Sequence, residues 1–141
     1  MNVNSEHIDR RWYGRRNSRK LAAARRQLMD ELLPQFRVDT GAEISDLPAI
    51  FSSPVSDVWM EIGFGAGEHL VGQAAKNKEI GFLGCDPYIN GVASLLSQAN
   101  KEHLRNIKVF DDDVRLLTPK LPAASLGRIF LLYSDPWPKK R

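Results

Sequence analysis

The chain has 141 residues, of which 43% are hydrophobic and 26% are charged. This is the composition of a soluble globular protein and the length of one domain, which excludes a multidomain enzyme. No apolar run approaches the ~20 residues of a transmembrane helix. The N-terminal segment carries charge but lacks the apolar core of a signal peptide, so we expect no secretory signal. Because the single cysteine, Cys85, cannot form an intrachain disulfide, we expect a cytoplasmic protein without membrane association.

Positive charge is concentrated at the two ends of the chain. Residues 1–37 contain nine Lys and Arg against four Asp and Glu, residues 38–138 contain eight against thirteen, and residues 139–141 are all basic. The asymmetry favours an anionic partner that contacts both ends. Ordinary solvated surface charge is the alternative that the asymmetry alone leaves open.

The segment 10–29 has the composition of a nucleic-acid-binding arm. It holds eight basic residues and no acidic residue, with Trp12 and Tyr13 among them. Arginine side chains bind phosphates and aromatic rings stack on unpaired bases, so this combination of residues suits RNA better than a membrane surface. The apolar spacing in its second half predicts a short amphipathic helix over 20–33 that ends before Pro34.

Beyond this arm, the chain alternates short β-rich apolar runs with helical stretches. The alternation predicts an α/β fold with a doubly wound, Rossmann-like parallel sheet built from βαβ units. The predicted strands cover 57–62, 80–85, 107–111 and 128–133, and the predicted helices cover 68–76 and 90–102, with a short turn at 114–117. We divide the chain into a basic arm and helix (1–37), a linker rich in Gly, Pro and Ser (38–56), and the sheet domain (57–141).

The first predicted strand runs into a glycine-rich turn, residues 63–67, that opens a helix. Ligands of open α/β sheets lie beyond the carboxyl ends of the strands, so Gly63 and Gly65 are predicted to let the backbone approach a ligand. The spacing is GxGxG rather than the GxGxxG of dinucleotide loops, and Glu61 and Glu68 flank it. Two carboxylates disfavour a pyrophosphate and suit a cationic ligand with ammonium and hydroxyl groups, such as S-adenosylmethionine. The alternative for Glu61 is a solvated strand end, and the helix dipole alone explains Glu68.

Carboxylates also follow the next two predicted strands. Asp86 lies 19 residues after the last glycine of the loop, where a carboxylate can accept hydrogen bonds from both ribose hydroxyls of an adenosine. An Asp-Pro turn is the structural alternative for Asp86. Asp111, Asp112 and Asp113 follow the third strand, where one acid could meet an adenine amino group, although a turn or an N-cap explains most such clusters.

The chain ends in Ser-Asp-Pro-Trp-Pro-Lys-Lys-Arg, residues 134–141, directly after the fourth predicted strand. Two prolines stiffen this loop, which combines an acid, an indole and three cations. The combination suits the binding of a nucleic-acid base: Trp137 could stack on it and Asp135 could meet its N–H groups. Packing of Trp137 on the domain body is equally compatible with the sequence.

Together, these motifs resemble those of the bacterial tRNA (guanine-N7-)-methyltransferases, a family of class I S-adenosylmethionine-dependent methyltransferases. The matching segments are Trp-Tyr-Gly-Arg-Arg at 12–16, the glycine loop at 61–70, Gly-Cys-Asp-Pro-Tyr at 84–88 with Gly91-Val92, and the motif at 134–141. The motif at 134–141 is highly specific for this family. The resemblance implies transfer of the methyl group of S-adenosylmethionine to N7 of a guanine in the variable loop of tRNA.

The resemblance also implies roles for individual residues. It implies that Glu61, Asp86, Asp113 and Asp135 lie at the cofactor and that Lys139 contacts the tRNA. From the residue patterns above, we expect Gly63 and Gly65 at the cofactor as well, and Arg15, Arg16 and Trp137 at the tRNA. Asp135 is also the implied catalytic residue. Because guanine N7 has a lone pair and no proton, the transfer needs no general base. We therefore interpret Asp135 as a residue that orients the guanine and stabilises the positive charge that develops on it.

Family members continue beyond this motif, so the resemblance implies a chain truncated after the fourth strand, which we expect to be an unprotected edge in a sheet of order 3-2-1-4. A non-catalytic RNA-binding or cofactor-binding remnant is the alternative function. The GxGxG spacing disfavours an NAD-dependent oxidoreductase. His7, His69 and His103 have no metal-ligand spacing, so we expect no metal, and we expect a monomer.

Overall fold

The structure, a computed structural model, describes residues 23–131 of the chain. Its helices are α1 (Ala23–Phe36), α2 (Glu68–Lys76) and α3 (Ile89–Lys101). Its strands are β1 (Asp57–Ile62), β2 (Ile80–Cys85), β3 (Ile107–Phe110) and β4 (Arg128–Leu131). The predicted strands and the two predicted βαβ helices are therefore confirmed within a residue or so, except that Leu132 and Tyr133 at the end of the fourth predicted strand lie outside the described residues.

The four strands form one parallel sheet of order β3-β2-β1-β4, which confirms the predicted order and the α/β fold class. Glu61 of β1 lies opposite Gly84 of β2 and Phe130 of β4. Just beyond, the backbone N–H of Gly63 donates to the carbonyl of Cys85 at 2.8 Å. Because all strands point the same way, the turns that follow β1, β2 and β3 meet at one edge of the sheet.

Both faces of the sheet are covered at the central strand β2, which is therefore buried along its whole length. The helices α1, α2 and α3 cover one face with an apolar cluster that includes Phe82, Leu96 and Val109. A second cluster, with Met60 and Leu83 at its centre, covers the opposite face. Each such large apolar side chain contributes about 1.5–3 kcal/mol when it is fully buried.

Helix α1 does not end before Pro34, as the sequence predicts, but continues to Phe36. The proline stands in the last turn, so only its own missing N–H is lost from the ladder. Just beyond the helix, the N–H of Arg37 still donates to the carbonyl of Leu33 at 2.7 Å. Phe36 is buried against the sheet together with Met29 and Leu32. Burial of this apolar stripe therefore outweighs the local cost of the proline.

The segment 38–56, interpreted from its composition as a linker, packs against the second face of the sheet. Val38, Leu47 and Phe51 are buried in the second cluster. Val38 also joins β3 directly, because its N–H donates to the carbonyl of Val109 at 2.9 Å. The segment thus contributes to the core even though it contains only a three-residue 3-10 turn, Pro48–Ile50.

A buried amide fixes the connection between α2 and β2. The Nδ2 group of Asn106 donates to the carbonyls of Ala74, Asn77 and Ile80 at 2.9–3.1 Å, and the residue is 2% exposed. Two of these bonds go to the end of α2, at Ala74 and the C-cap residue Asn77, and the third goes to the first residue of β2. This arrangement places β3 beside β2 and holds the start of β2 in register.

Strand β4 forms one edge of the sheet within the described residues, and two of its side chains, Ile129 and Leu131, are more than half exposed. Its other side chains cover β1: the guanidinium of Arg128 lies 4.4 Å from the ring centre of Trp59, and Phe130 meets the same ring edge-on. Between residues 23 and 131, no helix has the length and hydrophobicity that crossing a membrane requires.

Candidate functional site

The glycine turn at the end of β1 adopts a backbone conformation that other residues rarely take. Gly63, Gly65 and Gly67 have φ angles of 73°, 59° and 89°. These values lie in the left-handed region, which glycine enters without a Cβ clash. The turn leads directly into α2, with Gly67 as the residue before its first turn, so the GxGxG spacing encodes a sharp change of direction at the carboxyl end of β1.

Asp86, at the end of β2, holds the glycine turn in place. Its Oδ2 accepts a hydrogen bond from the N–H of Gly65 at 3.0 Å, and its Oδ1 accepts one from the N–H of Tyr88 at 2.9 Å. Gln98 adds a further tie from α3, since its Nε2 donates to the carbonyl of Ala66 at 2.8 Å. The structure therefore brings Asp86 and Gly65 together, and it contains the Asp-Pro turn of the alternative interpretation. A contact between Asp86 and a ribose stays a prediction.

The N-terminal turn of α3 approaches the glycine turn so closely that it needs a glycine of its own. A Cβ atom added to Gly91 would lie 2.0 Å from the carbonyl oxygen of Gly65, well inside van der Waals contact. The backbone of α3 therefore packs directly on the backbone of the glycine turn. As a result, the turns that follow β1 and β2 are held rigidly against each other.

Glu61 is buried, so its interpretation as a solvated strand end is wrong. Its side chain is 2% exposed. One carboxylate oxygen, Oε1, is hydrogen-bonded to Nδ1 of His69. The other oxygen, Oε2, is buried and has no hydrogen-bond partner within the described part of the chain. A buried carboxylate oxygen without a donor is costly, and such an atom in a native protein calls for an explanation such as a functional role or a bound water or ion.

Burial raises the pKa of Glu61 above its ordinary value of 4.5, and the hydrogen bond and charge of His69 oppose part of that rise. Desolvation therefore destabilises the ionised form of Glu61 in the folded protein, and the imidazole of His69 offsets only part of this effect. A cationic donor at Oε2 would favour the ionised form, because an opposite charge at short range stabilises a buried carboxylate.

We expect this shift to appear as a pH dependence of stability. Between pH 4.5 and the raised pKa of the folded protein, the folded chain binds more protons than the unfolded chain. The free energy of unfolding therefore falls as the pH rises through that interval. Glu61→Gln removes this contribution, so urea unfolding at a series of pH values should show a smaller loss for the variant than for the wild type. Parallel profiles for the two proteins would contradict the expectation.

Asp113 is buried and caps the 3-10 turn Val114–Leu116 that follows β3. Its Oδ1 accepts from the backbone N–H of Arg115 at 2.9 Å, and its Oδ2 accepts from the guanidinium Nε at 2.8 Å. The N-cap that sequence reasoning offered as the simpler explanation of this acidic cluster is thus present. A contact between Asp113 and an adenine stays a prediction.

A cavity of about 330 Å³ lies between α1 and the carboxyl ends of β2 and β3. Apolar side chains form most of its wall, among them Leu33, Ile89 and Val92. Arg37 and Asp111 close one side with an ion pair at 2.7 Å. Helix α1 therefore lies near the same carboxyl end of the sheet as the glycine turn and Asp86.

Sequence reasoning missed His69, which it treated as a histidine without metal-ligand spacing. Residues 23–131 contain no group of three or more His, Cys, Asp and Glu that could hold a metal ion. The available signal was the first-turn position of His69, eight residues after Glu61. Cys85 is not a further candidate nucleophile, because burial raises its pKa to about 12.

Five of the predicted site residues lie outside the described residues: Arg15, Arg16, Asp135, Trp137 and Lys139. Their contribution to the site therefore stays a prediction. Of the predicted site residues within the described part, the fold brings Glu61, Gly63, Gly65 and Asp86 to the carboxyl end of the sheet.

Residues 56–141 match a protein-family model described as "Putative methyltransferase". The chain belongs to this methyltransferase family. The match covers the whole predicted sheet domain, including the glycine turn, Asp86 and the motif at 134–141. The four-stranded parallel sheet described above agrees with the fold that the resemblance implies. The resemblance itself is confirmed by curated relatives that carry the name of the tRNA (guanine-N7-)-methyltransferases.

Three curated relatives are named "tRNA (guanine-N(7)-)-methyltransferase". That of Rhodopseudomonas palustris (strain BisB5) is 43% identical over 136 residues, covering 96% of this chain and 53% of the relative. That of Rhodospirillum rubrum is 42% identical, covering 94% of this chain and 54% of the relative. That of Roseobacter denitrificans is 45% identical, covering 94% of this chain and 59% of the relative. The chain thus spans between half and three fifths of the length of these relatives.

A solved structure, coclaurine N-methyltransferase bound to N-methylheliamine and S-adenosylhomocysteine, matches with a TM-score of 0.40 and 15% identity. The match covers 69% of this chain and 24% of that chain. Similarity at this level supports no argument about the site.

Proposed function

We propose that this methyltransferase transfers the methyl group of S-adenosylmethionine to N7 of a guanine in the variable loop of tRNA. The observation that carries the cofactor assignment is the buried Oε2 of Glu61, which has no partner among residues 23–131 and lies beside a glycine turn braced by Asp86. The reaction and the substrate are supported by the relatives named above, which are 42–45% identical.

The described residues suit the chemistry of this cofactor. S-adenosylmethionine carries an ammonium group, which matches an unpartnered buried carboxylate oxygen, and a ribose with two hydroxyl groups, which matches a carboxylate at the end of the second strand. Asp86 stands at that strand end, where its carboxylate accepts hydrogen bonds from the N–H groups of Gly65 and Tyr88. Gly63 and Gly65 keep side chains away from this edge. Asp113 is proposed as a further cofactor contact.

When bound, the cofactor supplies the methyl group that the lone pair of guanine N7 takes as the carbon–sulfur bond breaks. No protein base is needed, so alignment of the two reactants supplies most of the rate. We assign the orientation of the guanine to Asp135, whose charge also stabilises the positive guanine that forms. Lys139, Arg15 and Arg16 are assigned to the tRNA phosphates, and Trp137 to the target base. We further propose that the protein acts in the cytoplasm, as a monomer.

Substitution of a single atom in the tRNA tests this proposal. The 141-residue chain is incubated with labelled S-adenosylmethionine and either tRNA or the same tRNA carrying 7-deazaguanosine at the target position. We expect methylation of the first and none of the second, because position 7 of the deaza base is a C–H without a lone pair. 7-Deazaguanosine at a guanosine outside the variable loop is the control and should leave methylation intact.

Equal labelling of the two tRNAs would show that another atom is the acceptor. Absence of labelling with retained binding of S-adenosylhomocysteine would favour the cofactor-binding remnant over the enzyme. In the same assay, Asp135→Asn should slow a single turnover without weakening tRNA binding. A full rate in that variant would contradict the role assigned to Asp135.

A further inference from the structure

The imidazole of His69 lies between the buried acid of β1 and the edge strand β4. Its Nδ1 is hydrogen-bonded to Oε1 of Glu61. Its ring meets that of Phe130 edge-on, with the centroids 5.2 Å apart and the planes at 68°. Because His69 belongs to the first turn of α2, directly after the glycine turn, three elements fix one ring orientation against one carboxylate oxygen.

The two oxygens of Glu61 therefore differ in their surroundings. Oε1 has its partner within the protein, whereas Oε2 is equally buried and has none among the described residues. A carboxylate held at one oxygen cannot rotate freely, so the direction of its second oxygen is set before any ligand arrives. A buried carboxylate oxygen in that state suits a cationic donor better than a neutral one.

We propose that His69 is a positioning residue for the cofactor: its Nδ1–H holds Oε1 of Glu61 and leaves Oε2 to accept from the α-ammonium group of S-adenosylmethionine. This inference rests on the proposed function, because it names the contact that the cofactor makes. The imidazole has a second effect, since its hydrogen bond opposes the rise in the pKa of Glu61 that burial causes. Loss of that bond favours the neutral acid, which attracts an ammonium group less.

A purely structural role for His69 would give a different pattern of ligand affinities. S-adenosylhomocysteine carries the α-ammonium group, whereas 5′-methylthioadenosine has the same adenosine and a thioether but no amino-acid part. A positioning role through Glu61 affects only the first ligand. General damage to the glycine turn weakens both.

The test is calorimetric titration of the 141-residue chain with both ligands, using two variants of equal size. His69→Asn places an amide N–H near the position of Nδ1, and His69→Leu has nearly the same shape without a donor. We expect His69→Leu to bind S-adenosylhomocysteine about tenfold or more weakly than the wild type, and His69→Asn to stay within about threefold. Both variants should bind 5′-methylthioadenosine as the wild type does.

A measurement on the unmodified protein complements the variants. In the complex with S-adenosylhomocysteine, the ¹⁵N chemical shifts of labelled histidines report which ring nitrogen carries a hydrogen, and the signal missing in His69→Asn identifies His69. The proposal requires a hydrogen on Nδ1. An Nδ1 without one would overturn it, whether or not His69→Leu folds.

The remaining outcomes separate this inference from the proposed function. If the wild type binds both ligands and the two variants bind S-adenosylhomocysteine equally, the role of His69 fails while the cofactor assignment stands. Equal weakening of both ligands in His69→Leu would likewise overturn the positioning role. If the wild type binds neither ligand, the cofactor assignment and the role of His69 fail together.

Discussion

Replacement of Glu61 by Gln is expected to weaken the binding of S-adenosylhomocysteine by about 2 kcal/mol or more, which is roughly thirtyfold. The substitution keeps the size of the side chain and removes the charge that we assign to the ligand's ammonium group. The amide also cannot present two acceptor oxygens, so either the bond to His69 or the bond to the ligand is lost. Calorimetric titration at neutral pH measures the effect.

Glu68→Gln is the matched control for this experiment. It makes the same chemical change in the first turn of α2, but Glu68 is exposed. Loss of its charge at a helix N-terminus costs only about 0.3–1 kcal/mol of helix stability. Similar loss of affinity in the two variants would mean that the general negative field of the loop attracts the ligand. Unchanged affinity in Glu61→Gln would remove Glu61 from the cofactor site.

Gly91→Ala is expected to reduce both stability and ligand binding. The added Cβ would lie 2.0 Å from the carbonyl oxygen of Gly65, and both groups belong to backbone that neighbouring contacts hold in place. Relief of this overlap must move α3 or the glycine turn, at a cost of about 1–3 kcal/mol or more. Urea unfolding and titration with S-adenosylhomocysteine should both show the loss.

Gly72→Ala provides the comparison, because a Cβ at Gly72 of α2 would have no atom within 4 Å outside the helix itself and its chain neighbours. Alanine is the better helix former, so this variant should be about 0.5–1 kcal/mol more stable than the wild type and bind the ligand unchanged. Wild-type stability in Gly91→Ala would show that the two turns are not packed as rigidly as the structure indicates.

The parts of the fold that the sequence predicts are those encoded locally. Each strand is a short apolar run, and the GxGxG turn and Asp86 stand at fixed positions next to their strands. The end of α1 was predicted wrongly because the rule for proline is local, whereas the burial of Phe36 depends on a sheet that forms much later in the chain. Val38, Leu47 and Phe51 likewise lie in a segment whose composition is that of a loop, and only the sheet surface above them makes them core residues.

The candidate site likewise has features that the local sequence predicts and features that depend on the packing of distant segments. Glu61 and Asp86 could be predicted because strand ends in a parallel sheet share one edge. Their exact partners could not, because a hydrogen bond depends on distances that no spacing rule supplies. The pairing of Glu61 with His69 results from the path of the glycine turn, and the close contact of Gly91 with Gly65 results from the packing of α3 on that turn. Both features set the geometry of the candidate site.

The attachment of α1 to the end of β3 has a consequence for synthesis on the ribosome. Arg37, just after α1, pairs with Asp111, 74 residues later in the chain, and its neighbour Val38 bonds to Val109. At roughly 5–20 residues per second, translation takes several seconds to cover that interval. During that time, the stripe formed by Met29, Leu32 and Phe36 has no sheet to cover it. The exposed arginines at 25 and 26, in the first turn of the same helix, add charge beside this stripe, which disfavours aggregation of the nascent chain until β3 emerges.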